Sequence, residues 1–156
     1  MMIDRRGRNG YFDIKVYRNG KLFRHDIIKN LITDVALNKE IGILLGTAPN
    51  MEIKYMGFGT DNTAPTVSDT QLGSESARFQ PTTAFSQVAI GKTSGAFFLT
   101  STDLNGVDIE EIGVFCGSTA SSTANSGTLL SRILWSFSKT ANDEIEITRI
   151  DTVERG

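Results

Sequence analysis

The stretch YFDIKVYRNGKLFRHDII, Tyr11 to Ile28, decides the fold. Phe12, Ile14 and Val16 fall on one side of a period-two pattern, with Asp13 and Lys15 on the other, as in a strand with one buried face. Asn19-Gly20 follows, and both residues tolerate φ > 0, so the chain is expected to reverse there and return as a strand over Lys21–Ile28.

Downstream, the period changes once. Leu37, Ile41, Leu44 and Leu45 stand at i, i+4, i+7 and i+8, which predicts a short helix over about residues 33–45. Thr33 is its N-cap and Gly46 its stop. Gly42 is unfavourable within a helix, by about 1 kcal/mol relative to Ala, but would let a strand approach closely. Alternation resumes at Met51–Phe58, followed by the polar loop GTDNTAPTVSDTQLG, Gly59–Gly73. Further strands are expected at Arg78–Phe85, Gln87–Gly91, Phe97–Ser101, Ile109–Phe115, Thr128–Ser136 and Glu144–Val153. Gly117–Gly127 holds no charge and nothing larger than Asn, the composition of an exposed, mobile tip. The expected fold is all-β, a β-sandwich or jelly-roll-like domain with one short helix packed on the sheet. Residues 11–156 form a single β-rich domain, and residues 1–10 a flexible basic arm.

Composition narrows the chemistry. The 156 residues contain one Cys and one His, which permits no intrachain disulfide and leaves little scope for zinc. The longest apolar run is Ala96-Phe97-Phe98-Leu99, far short of the roughly 20 residues of a membrane span. The polar, basic Met1–Gly10 does not resemble a signal peptide. The net charge of −2 divides unevenly: residues 1–30 carry +5 and the remainder −7. Such a front could meet nucleic acid or an acidic protein surface. Arg18, Lys21 and Arg24 belong to the hairpin and read as a solvated strand face, which leaves Arg5, Arg6 and Arg8 as candidate partner-binding residues of the arm. Nucleic acid is not an expected partner.

No catalytic constellation emerges. A serine triad needs a histidine base, and His25 lies in a predicted strand with no G-x-S-x-G elbow in the chain. Cys116 closes a strand with no adjacent basic residue to lower its pKa. Gly57-Phe58-Gly59 lacks the third glycine and following helix of a dinucleotide site. Carboxylates cluster at Asp108/Glu110/Glu111 and Asp143/Glu144/Glu146, and Glu144 and Glu146 would stand side by side in solvent, as on a guarded strand edge. Asp61 and Asp69 match no calcium-loop spacing and read as turn formers. Phe97, Phe98, Phe115, Trp135 and Phe137 sit in apolar runs and read as core.

Five stretches, in this order, resemble small structural proteins of tailed-bacteriophage virions and tail-fibre or baseplate attachment modules. They are Lys29-Asn30-Leu31-Ile32-Thr33, Gly57-Phe58-Gly59-Thr60, the loop from Thr63-Ala64-Pro65 to Leu72-Gly73, Glu111-Ile112-Gly113-Val114-Phe115, and Leu129-Leu130-Ser131-Arg132. The resemblance spans about residues 11–153; the Gly117–Gly127 tip departs from it in length and Ser/Thr content. It implies a non-enzymatic virion protein without catalytic residues, metal or cofactor, assembled in the host cytoplasm. Its partners would be other virion proteins of the tail, baseplate or major capsid, and copies of itself, trimers included. The alternatives are a capsid decoration protein that stabilises the head shell, and a carbohydrate- or receptor-binding module. Thirty Ser/Thr residues and sheet-rich patterning fit an assembly protein held by interfaces rather than disulfides.

Overall fold

The computed structural model describes residues 7–154. They form two five-stranded antiparallel sheets packed face to face, an all-β sandwich with one helix. The first sheet contains β1 (Gly7–Arg18), β2 (Lys21–Lys29), β6 (Thr83–Ala89), β7 (Lys92–Leu99) and β10 (Asp143–Glu154), in the order β2-β1-β10-β7-β6. The second contains β3 (Leu31–Ile32), β4 (Ile53–Gly59), β5 (Glu75–Phe79), β8 (Asp108–Cys116) and β9 (Thr128–Ser138), in the order β3-β9-β8-β4-β5. Helix α1 spans Asp34–Leu44.

The opening hairpin forms as its alternation requires. Asn19 and Gly20 have φ of 50° and 76°, the left-handed conformations of a tight two-residue turn. Phe12, Ile14 and Val16 are fully buried, and with Ile145, Ile147, Phe97 and Leu99 they supply the first sheet's half of the core. Met56, Phe58, Ile112, Val114 and Trp135 supply the other half. Phe98 is the exception among the predicted core aromatics: pairing with Glu146, it takes the outward position that period two assigns it.

β1 begins four residues before the predicted Tyr11. Gly7–Gly10 are strand, with Arg8 paired to Val153, while residues 1–6, including Arg5 and Arg6, lie outside the described residues. The strand expected over Arg78–Phe85 divides between the two sheets as β5 and β6, with Pro81 in the crossing. β2 is fastened across the sandwich: Asp26 Oδ2 accepts from Trp135 Nε1 (2.9 Å) and Arg24 Nε (2.6 Å), and Arg24 Nη1 donates to Ser136 O (2.7 Å). Among the described residues no helix is long and apolar enough to cross a membrane.

The helix has the predicted ends but the opposite orientation. Thr33 caps it, its Oγ1 accepting from Ala36 N and donating to Leu129 O, and Gly46 follows at φ 72°. These bonds, with Thr33 N to Leu130 O and Asp34 N to Val67 O, fix the helix's rotation. Ala36 and Gly42 face inward, whereas Leu37, Ile41, Leu44 and Leu45 are exposed. Gly42 admits the turn at Thr47 and Ala48, not a strand. The core is already closed by strands, so only an alanine fits beneath the helix.

Thr33→Ala removes the cap and leaves a buried carbonyl unpaired. It is expected to cost about 1–2 kcal/mol, measured by urea denaturation, with the wild-type fold retained.

Candidate functional site

Four of the five motif stretches meet on the outer face of the second sheet, and the fifth, Lys29–Thr33, leads from β2 into its edge strand β3, where Leu31 pairs with Arg132 of β9. Glu111 of β8 is completely buried on that outer side, facing Arg132 of β9, whose side chain is 4% exposed. Arg132 Nε donates to Glu111 Oε2 (2.7 Å), and the same carboxylate accepts from Gly73 N (3.0 Å) and Ser74 N (2.8 Å). A buried carboxylate stays charged only when it is paired and hydrogen-bonded, so these donors are a condition of the arrangement. They belong to the end of the 60–74 loop, which is thereby drawn down onto the sheet.

The loop carries its own fastenings. Asp61 Oδ1 accepts from Thr63 N and Oγ1, and Asp69 accepts from Thr66 N and Oγ1, so both are turn-forming as expected. Both also face Arg132, at 3.6 and 3.3 Å. Leu72 is fully buried on Gly113, where an added Cβ would come within 2.6 Å of its Cδ2. Gly59 is likewise overlain by the Glu111 carboxylate and Ser74 O. The motif glycines are thus the flat floor on which the loop and its buried charge rest.

A second ion pair holds the 117–127 tip. Arg78 and Glu75 of β5 form a two-pronged salt bridge (2.6 and 2.9 Å) with both side chains almost fully buried. The Arg78 guanidinium lies 4.2 Å over the Phe115 ring. Its Nη1 donates to Ser121 O and Ser126 O, while Glu75 accepts from Asn125 N. Asn125 Oδ1 in turn accepts from Leu72 N, which joins the two loops. The tip expected to be mobile is tied down at both shoulders, and only its outer Ser118–Thr119 and Ser121–Ala124 are exposed. Sequence reasoning did not single out Glu75 or Arg78; opposite charges three apart beside a glycine-rich strand were the available signal.

The remaining candidates fall elsewhere. Arg8 points into the open end of the sandwich and donates to Glu40 of the helix (2.7 Å), as part of the domain. His25 Nε2 lies 2.6 Å from Asp13 Oδ1 on the outer face of the first sheet. Cys116 is fully buried, and burial pushes its thiol up to about 11. Glu110 is only partly buried and accepts from Ser136 Oγ, apart from the bonds that hold Glu111. Glu144 and Glu146 share the outer face as expected, but Asp143 turns inward to Arg18 (2.7 Å) and Asp151 to Arg149 (2.7 Å). No group of three or more Cys, His, Asp or Glu among the described residues is placed to hold a metal ion.

The carboxyls of Asp69, Asp143 and Asp26 are held below the usual range. In each, burial pushes upward but is outweighed by hydrogen bonds: Thr66 and Arg132 for Asp69, Arg18 and Thr140 for Asp143, Trp135 and Arg24 for Asp26. Depressed folded-state values stabilise the fold above the unfolded carboxylate range of about 4, and that stability is lost as pH falls through the lowered values. The urea midpoint is therefore expected to hold from neutrality to about pH 5 and to fall below about pH 4. Arg132→Met, which leaves Glu111 buried without its cation, is expected to cost about 3–5 kcal/mol in the same assay at neutral pH.

Comparison of the chain with protein-family models, with curated proteins and with solved structures finds no match.

Proposed function

We propose that this chain is a non-enzymatic structural protein of a tailed-bacteriophage particle, a tail- or baseplate-associated assembly component acting through protein–protein interfaces. The observation that supports the reading is the convergence of four of the five motif stretches on one buried cluster, with the fifth paired to its Arg132 strand as β3. The residues that carry the resemblance bond to one another and hold the 60–74 loop in a fixed shape, as Glu75 and Arg78 hold the tip. Their charges are consumed in that task.

The loops present what a docking platform needs. Their exposed side chains are mostly Ser, Thr and Ala, which lose little conformational entropy on contact, and their backbones are anchored beforehand. Sugar-binding surfaces instead rely on exposed aromatic rings. Here Tyr55 lies 5.5 Å beneath the Arg78 guanidinium, and Tyr11 and Tyr17 are half-buried in the first sheet.

The test is to mix purified protein with isolated tails and with empty capsids, pellet each, and quantify what sediments. Saturable binding to tails is expected, reduced at least about tenfold by Ser122→Glu with Thr123→Glu, exposed tip positions whose side chains do not anchor the loop. Binding to capsids alone would replace the tail reading with capsid decoration, and binding to neither would refute the particle assignment. Removal of residues 1–6, which carries away Arg5 and Arg6 but spares β1, is expected to weaken attachment without altering the circular dichroism spectrum.

A further inference from the structure

The helix face that the fold leaves outside is a continuous apolar surface. Leu37, Ile41, Leu44 and Leu45 lie within roughly a 100° arc of α1, the width of an ordinary core-facing stripe. Leu44 is 78% and Leu45 72% exposed. The stripe borders an open groove of about 690 Å³ that Met51 and Val153 also line. Beyond Val153, whose N–H donates to Gly91 O (2.7 Å), the β6–β7 turn raises Ile90, 97% exposed.

We infer that this surface is the isologous interface of a homodimer, two copies packing their α1 stripes antiparallel about a twofold axis near Ile41. Area is the first ground. These side chains expose on the order of 400 Å² of aliphatic surface. The smaller stable interfaces bury about 600 Å² per partner, of which about 65% is apolar in homodimers, so the patch supplies the apolar core of such a contact.

Charge is the second ground. The two charged residues that line the groove, Arg8 and Glu40, are paired with each other at 2.7 Å, so the groove itself does not select a partner of opposite sign. An uncharged aliphatic stripe is complementary to itself, and rows at i±4 interdigitate across a twofold axis. A second group of exposed apolar side chains, Leu22, Phe23 and Ile27, stands among Lys21, His25 and Lys29 on edge strand β2, a charged setting that discourages association.

This inference is independent of the particle reading, since it is measured on the purified chain alone. Sedimentation velocity over about a hundredfold concentration range should give a species of twice the chain mass. Ile41→Glu with Leu44→Glu should raise its dissociation constant at least about tenfold, at unchanged Trp135 fluorescence, whereas Leu22→Glu should not. A monomer or trimer at every concentration overturns the proposal from the wild-type protein alone. So does a dimer that survives the helix substitutions. If the protein is monomeric and the helix variant loses binding to tails or capsids, the surface belongs to a particle protein instead.

Discussion

A carboxylate with no access to water governs the second sheet. Glu111 is bonded by Arg132 and by the backbone N–H groups of Gly73 and Ser74. That arrangement propagates. The loop must descend to supply its N–H groups, Gly59 and Gly113 must lack side chains to let it descend, and Leu72 is then carried into a buried seat. Replacing such a pair with apolar side chains is often neutral or stabilising in proteins at large, so stability alone does not account for it. Its consequence here is a fixed loop path, since Gly73, Ser74 and Arg132 all bond to the one carboxylate.

The first sheet uses the same device with different residues. Arg149 is fully buried, bonds to Asp151 at 3.0 and 2.7 Å, and lies 4.7 Å over the Phe12 ring. It stands in register with Phe12, and Asp151 with Gly10. Arg78 over Phe115 and Arg149 over Phe12 are thus parallel solutions: a guanidinium stacked on an aromatic ring, with a carboxylate in its plane. A sandwich with one cysteine has no disulfide to unite its layers, and these buried pairs tie strands and loops together where side-chain packing alone would not set their paths.

Local features were legible in the sequence and long-range ones were not. The Asn19-Gly20 turn, the opening hairpin strands and the Thr33 cap depend on residues a few positions apart and stand where the pattern places them, whereas the run read as one strand over Arg78–Phe85 is split between the two sheets. Glu111 read as one of several clustered carboxylates because its partners lie 21, 37 and 38 positions downstream or upstream, in Arg132, Ser74 and Gly73. The helix shows a different kind of limit. Hydrophobic periodicity identifies a face that avoids water, but whether that face meets this chain's own core or another surface depends on how much core the strands have already filled.

The basic front shows how tertiary structure rewrites a charge count. Three of the arginines behind its +5 are engaged within the domain: Arg8 with Glu40, Arg18 with Asp143, Arg24 with Asp26. The acidic body shrinks in parallel, since Glu75, Glu111, Asp143 and Asp151 are buried against arginines and offer nothing to an approaching cation. Lys15, by register, faces Glu146 on one side and His25 on the other. A segment count treats these charges as surface, whereas a field felt at a distance comes only from those left unpaired. What the domain presents to its surroundings is therefore set more by the shape of its anchored loops and by its exposed aliphatic face than by the charge asymmetry between its two ends.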